Sequence, residues 1–411
     1  MIASMESVSW KRVPIVELCA AHVDCVNRTA PIVSEPTPFK MIRTTNVRNG
    51  FIDTENVRYV SEETYKRWTR RLVPKRGDVI LTREAPLGDV GKIRTDDSIF
   101  LGQRLYHFRP DPNKLDADFL LYSLLHEDLQ GQIRGFGAGA TVEHMRLEDV
   151  PNLEINVPPL SVQQRFAGIL SAYDELRENS QRRIRILEAM ARALYREWFV
   201  YFRFPGYKRV PRVASSLGDI PRGWEVKRVP ECVSINPRVV VSRDGEKPFV
   251  PMGCLANNSM LVTDIESRDG NSGSKFQNGD TLFARITPCL ENGKTGFVQF
   301  LPDEHAVACG STEFIVLRSR TLTPEFVYLL SRSDEFRGNA IKSMSGASGR
   351  QRVQERCFDE FKITHPPRAL LDRFSAIVAP SFRLIHSLHL HVVNLRQTRD
   401  LLLPYLLSGR K

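Results

Sequence analysis

The sequence predicts an α+β fold: two tandem copies of one mixed α/β module, separated by two long antiparallel coiled-coil helices. Three observations in the 411 residues carry that prediction. First, Gly77 to Lys92 (GDVILTREAPLGDVGK) aligns without a gap to Gly279 to Lys294 (GDTLFARITPCLENGK), with identities at Gly77/Gly279, Asp78/Asp280, Arg83/Arg285, Pro86/Pro288, Gly91/Gly293 and Lys92/Lys294. Average residue usage would give about one identity, so the match reads as a duplication. Second, a match offset by 208 residues runs from Ile133/Ile341 through Pro158/Pro366 and Pro159/Pro367 to Arg165/Arg373, Phe166/Phe374, Ile169/Ile377, Leu187/Leu395 and Leu194/Leu402. Third, each copy closes on a heptad pattern of apolar residues.

Taken in chain order, each copy opens at a tryptophan, Trp10 or Trp224, followed by Lys11 to Pro14 or Lys227 to Pro230. Short apolar runs broken by turn residues then read as strands: Val79 to Thr82 and Tyr106 to Arg109 in the first copy, Thr281 to Ala284 and Glu313 to Arg318 in the second. A short helix follows near Asp118 to Glu127 and near Pro324 to Phe336. After each Pro-Pro step comes a long helix, the first from Leu160 to Phe202. Phe166, Tyr173, Leu187 and Leu194 repeat every seven residues, with Ile169, Leu176 and Met190 between them on the same seam. The second helix repeats that register with Phe374, Leu388, Leu395 and Leu402, and Ile377 and Leu384 between. Pro380 should kink its first part, because proline lacks the helical N–H. At 1.5 Å per residue either helix would reach roughly 60 Å. The boundaries that follow are 1–158 for the first module, 159–203 for the central helix, 204–221 for a connector, 222–365 for the second module and 366–411 for the C-terminal helix.

Composition bounds the function. The net charge is +10, with 58 Lys and Arg against 48 acids. That favours a polyanionic partner, since neutralised phosphates release counterions. Seven cysteines without a CxxC pair suit a reducing compartment. Cys19, His22, Asp24 and Cys25 supply too few converging ligands for a zinc site. No contiguous apolar run approaches the length of a membrane span, and Met1 to Trp10 lack a signal-peptide core, so a cytoplasmic address and no membrane partner are expected.

Enzyme signatures are missing. There is no phosphate loop, no HExxH and no GxSxG, and Gly135, Gly137 and Gly139 have the wrong spacing for a dinucleotide turn. No catalytic residue and no metal ligand is therefore assigned. The remaining candidates fit nucleic-acid contact. Thr141 and His144 follow the glycines of the first copy. Ser345, Ser348, Arg350, Gln351 and Arg352 occupy the matching stretch of the second, and their hydroxyl, amide and guanidinium groups suit phosphates and base edges. Arg83/Arg285 and Lys92/Lys294 could face phosphate or form salt bridges, and both readings stand. Arg43-Thr44-Thr45-Asn46 aligns with Gly253-Cys254-Leu255-Ala256, a divergence that would let the copies read different sequences. Arg104, Ser311 and Thr312 complete the DNA candidates beside Arg43, Thr44 and Asn46.

The chain resembles the specificity subunit of type I restriction-modification systems over essentially its whole length. The two GD…GK segments carry the likeness, together with VPPLSVQQRFAGILSAYDEL, LEAMARALYREWFVYFRFPG, RGWEVKRV and LRQTRDLLLPYLLSGR. The resemblance implies two target recognition domains, each reading one half of a bipartite double-stranded DNA site, held by helices that act as a ruler. It also implies docking of two modification (methyltransferase) subunits and of restriction subunits. S-adenosylmethionine, ATP and Mg would be held by those partners and no cofactor by this chain, which would be a non-catalytic subunit. Pro380, Ser381 and His391 make the second seam depart from the first. Two other readings compete. A standalone DNA-modifying enzyme would need an acidic metal cluster or an NPPY-like motif, yet Pro158-Pro159 and Pro366-Pro367 follow Val157 and His365. A coiled-coil protein-interaction scaffold would bind without steep salt dependence or sequence preference.

Overall fold

The computed structural model describes residues 10–137, 143–347 and 349–407. Both modules are built on the same sheet. In the first, the strands Cys19–Asp24, Leu105–Pro110, Val79–Arg83 and Leu87–Lys92 lie side by side in that order. The second places Val233–Ile235, Phe314–Ser319, Thr281–Ala284 and Thr295–Phe297 in the same order. All neighbours in the two sheets are antiparallel. A second sheet accompanies each, three-stranded in the first module and four-stranded in the second, and contains a parallel pair, Phe39–Ile42 with Ser98–Leu101 and Glu246–Val250 with Ala308–Gly310. Each module's ends meet in a two-stranded ribbon, Lys11–Pro14 with Glu154–Val157 and Glu225–Arg228 with Lys362–His365. The duplication read from sequence is therefore a duplication of topology.

Contacts group Met1–Arg177 with Asn394–Lys411 as one compact unit and Glu178–Val393 as another. Both divisions fall inside a long helix. In the first unit, Phe108, Phe119, Tyr122 and Leu170 form the core, joined by Leu407 and flanked by Leu402 and Leu406. Each predicted short helix is two helices: Ala117–Leu125 and Glu127–Gly137, then Pro324–Ser331 and Asp334–Lys342. Three of these four starts are capped, by Asp116, Thr323 and Ser333, whose side chains accept otherwise orphan backbone N–H groups. The second core centres on Phe283, Phe326, Phe336, Phe358 and Phe374. Pro205 to Pro221, read as a connector, contains a hairpin of Arg212–Ser215 and Gly218–Pro221.

The central helix runs from Leu160 to Tyr195 and ends in a π-helical turn at Arg196–Val200. The C-terminal helix runs from Arg368 to Leu407. It continues through Pro380, so the predicted kink does not interrupt it. In the first unit the pair is antiparallel: Phe166 and Leu170 share a core with Leu402 and Leu407, while Asp174 further along bonds Arg399. In the second, Trp198 beyond the end of one helix packs on Phe374 near the start of the other, ring centres 5.8 Å apart.

The seam needs correction. Phe374, Leu388 and Leu395 are buried as predicted, and Phe166 is too. Tyr173, Leu187, Leu194 and Leu402 are only half-buried. The fully covered line on the central helix is Gln163, Leu170, Arg177, Ile184 and Ala191, three residues away from the predicted one. Two of those five are polar, which is why an apolar period mis-centres the line. Ile169 and Ile377, placed on the seam from sequence, are 38% and 52% exposed. By length and mean hydropathy the C-terminal helix is long and apolar enough to cross a bilayer, although no contiguous apolar run in the sequence is. Its residues Phe374, Val378, Phe382, Ile385 and Leu388 are buried in the core of the second unit.

Candidate nucleic-acid interface

The repeated Gly-Asp pair founds each module. Gly77 and Gly279 sit at φ +94° and +87°, a backbone that favours glycine. Their N–H groups donate to Ile93 O at 2.9 Å and Val298 O at 2.8 Å. The following aspartate is 1% exposed in both copies. Asp78 accepts from Lys75 N at 2.9 Å, from Arg109 Nε and Nη2 at 2.8 and 2.6 Å, and pairs with His107 Nε2 at 2.6 Å. Burial opposes its charge, but Arg109 and His107 outweigh that and hold the carboxyl below its ordinary range. Asp280 repeats the hub, accepting from Gln277 N at 2.8 Å and from Arg318 Nε and Nη2 at 2.7 Å each.

The repeated cations bond within their own modules, which favours an internal bonding role over the phosphate-facing one. Arg83 Nη1 donates to Met145 O at 2.9 Å, and Met145 N returns to Arg83 O at 2.9 Å. Arg285 makes the same clamp: Nη2 to Val353 O at 2.9 Å, Val353 N to Arg285 O at 2.8 Å, and Nη1 to Glu355 at 2.8 Å. Lys92 pairs with Asp118, and Lys294 Nζ donates to Met252 O at 3.0 Å. The arginine clamps match between the copies, whereas the two lysines take different partners.

Asn46 is also structural. It is buried, with Oδ1 accepting from Arg43 N at 3.0 Å and Nδ2 donating to Asn56 O at 2.9 Å. Arg352 forks onto Glu313 at 2.6 and 2.9 Å. Exposed Ser345 accepts from Gln354 Nε2 at 2.8 Å; Arg350 is exposed and Gln351 half-buried in the same turn. Exposed His144 forms an isolated β-bridge with Glu84. Thr141 and Ser348 lie outside the described residues. Of the sulfur and imidazole cluster set aside from sequence, His22 bonds Tyr106 and Asp24 bonds Arg71. Among the described residues no three His, Cys, Asp or Glu side chains converge as metal ligands would.

The rest of the candidates collect at one edge. In the first module Gly102 N donates to Ile42 O at 2.8 Å, and Arg83 N to Arg104 O at 2.9 Å. The second module has Ser311 N on Val250 O at 3.0 Å and Arg285 N on Glu313 O at 2.9 Å. These bonds make Gly102, Gln103 and Arg104 equivalent to Ser311, Thr312 and Glu313. They also equate the turn after Ile42, Arg43 to Asn46, with Pro251 to Cys254, two residues earlier than the sequence alignment placed it. Arg43 and Thr44 are half-buried there and Arg104 is exposed; Ser311 is half-buried and Thr312 exposed. In the second module an open cleft of about 350 Å³ lies at this edge, lined by Phe249, Met252, Arg268, Gly273, Ser311 and Thr312. Phe249 and Arg268, unremarked in the sequence, stack with the guanidinium carbon 3.8 Å from the ring centre.

Two matched modules with differing edges and paired long helices define a class of chain already represented among solved structures. The S subunit of a type-I restriction-modification system from M. genitalium shares the fold with a TM-score of 0.57, at 15% identity, over 97% of this chain and 96% of that one. The family described as type I restriction modification DNA specificity domain matches residues 9–189. The MjaIX specificity subunit of Methanocaldococcus jannaschii is 24% identical over 373 residues, 86% of this chain and 81% of the relative. The EcoEI specificity subunit of Escherichia coli is 32% identical over 156 residues, 36% of this chain and 26% of the relative. The first module and most of the central helix thus match the type I restriction modification DNA specificity domain, and the relatives similar in sequence are specificity subunits.

Proposed function

We propose that this chain reads a bipartite, asymmetric double-stranded DNA site, one half per module, and presents it to modification and restriction subunits. One observation carries the reading. The two modules keep the same sheet order and the same aspartate hub, while the residues at their equivalent edges differ in charge and size. A common scaffold with divergent edges is what two half-sites of different sequence require. The net charge of +10 supplies the sequence-independent attraction to phosphates.

Docking of two modification subunits is supported by a second repeat. Ile169 and Leu176 on the central helix are 38% and 52% exposed; their equivalents Ile377 and Leu384 on the other helix are 52% and 39% exposed. An apolar stripe that recurs in both copies fits one partner twice. On this reading the chain is cytoplasmic and performs no chemistry itself. S-adenosylmethionine, ATP and Mg act on the partner subunits. The test is affinity for a cognate and a scrambled duplex across a salt series. The account expects the logarithm of affinity to fall linearly with that of salt, with cognate binding tighter throughout. Equal affinity for both duplexes, insensitive to salt, would instead support a protein scaffold.

A further inference from the structure

We infer that the edge where the two parallel strands end is the base-reading surface of each module, with Arg43, Thr44 and Arg104 acting in the first and Met252, Ser311 and Thr312 in the second. The inference rests on the DNA-reading proposal and assigns residues to it.

Topology is the first argument. Parallel pairing of Phe39–Ile42 with Ser98–Leu101 sends both chain exits to one edge, so the turns 43–46 and 102–104 are brought side by side. The pair Phe249/Cys309 and Val250/Gly310 does the same for 251–254 and 311–313. No pair in the all-antiparallel sheets could juxtapose two such exits.

Divergence is the second. The residues that build the modules agree between copies: Asp78 with Asp280, Arg109 with Arg318, Arg83 with Arg285. At the edge the agreement stops. Arg43 and Thr44 stand where the second module has Pro251 and Met252, and Gln103 and Arg104 where it has Thr312 and Glu313. At the matched positions the cation Arg104 lies beside Glu84, and the acid Glu313 is held by Arg352, so the two edges present opposite charge.

Local geometry is the third. Arg104 holds φ +69°, a left-handed backbone that a non-glycine residue adopts rarely, and its side chain is 49% exposed beside Glu84 at 3.3 Å. Such an exposed pair is weak enough for DNA to replace. In the second module one part of the cleft wall is bare backbone: a Cβ on Gly273 would come within 1.9 Å of Gly310 O. Met252, Ser311 and Thr312 line the cleft beside the stacked Phe249 and Arg268.

The chemistry of the two edges differs accordingly. Guanidinium groups fit the O6 and N7 acceptors of guanine in the major groove, whereas a thioether, a methyl and hydroxyls suit the thymine methyl and neighbouring acceptors. The first half-site should therefore contain a guanine fixed by Arg104 or Arg43, and the second a position where thymine is preferred.

The experiment selects duplexes from a randomised pool with the full-length chain assembled with its modification subunits. Arg104→Gly, which removes the guanidinium and suits the left-handed backbone, should degrade one position of the first half-site. Affinity for the original site should drop roughly ten- to a hundredfold, with the second half-site intact. Thr312→Gln, which installs the first module's residue, should alter only the second half-site. If the wild-type assembly selects a bipartite site and both variants select the same one, the edge assignment fails and DNA reading stands. If the wild-type assembly selects nothing, DNA reading itself fails.

Discussion

Replacing Asp78 with alanine removes the carboxylate on which Lys75 N, His107 and Arg109 converge, and leaves Arg109 without its partner. Breaking a buried ion pair from one side destabilises by about 3–5 kcal/mol. Asp78 is 1% exposed but Arg109 is 19% exposed and can recover some hydration, so the lower end, about 3 kcal/mol, applies. That corresponds to roughly a hundredfold rise in local opening. Hydrogen exchange should report it as lost protection in Val79–Arg83 and Leu105–Pro110, the strands that Asp78 ties together. The matching strands Thr281–Ala284 and Phe314–Ser319, held by Asp280, should keep their protection. The pH dependence follows with a definite sign. Because the folded carboxyl is held below its ordinary range, its contribution is fully present above the unfolded value of about 3.9 and is lost as pH falls through the folded one. Asp78→Asn should therefore flatten the acid limb of the first module's stability. Unchanged exchange in Val79–Arg83 after Asp78→Ala would refute the hub.

Other perturbations separate the remaining roles. Asp174 is buried and accepts from Tyr122 at 2.9 Å and Arg399 at 2.7 Å, with Arg177 3.3 Å away, so Arg399→Ala leaves the carboxylate partly paired and should destabilise the first unit by about 1.5–3 kcal/mol, as judged by denaturant midpoints; an unchanged midpoint would contradict the pair. Arg285→Ala frees Val353 O and Glu355, and should reduce protection of the strand Thr281–Ala284 before it affects DNA affinity. Ile169→Glu or Ile377→Glu touches no core, and should shift stability by no more than about 0.5 kcal/mol. The same variants should weaken association with the modification subunit in sedimentation, and unaltered association would remove the docking stripe.

Much of the architecture is legible in the sequence because it is local or repeated. The GD…GK segments give the duplication, and Val79 to Thr82 and Thr281 to Ala284 give their strands, since those runs are short, apolar and bounded by turns. What escapes is long-range. Asp78 reads as a turn former because its partner Arg109 lies 31 residues away, and Asp280 because Arg318 lies 38 away. Arg83 and Arg285 look like exposed cations for the same reason: the carbonyls they clamp come from loops 62 and 68 residues downstream. The seam is mis-centred because Gln163 and Arg177 occupy buried positions that hydropathy assigns to water. Arg43, Thr44, Arg104, Ser311 and Thr312 are legible as candidates, but that they adjoin follows only from the parallel pairing, and Phe249 meets Arg268 only once their two strands pair.

DNA methylation mapped across the genome in cells with and without this chain tests the central claim most directly. Two copies of one reader predict modified bases in two defined half-sites, separated by a constant number of unspecified base pairs and vanishing when the chain is deleted. A single contiguous motif, or a pattern that survives the deletion, would contradict it.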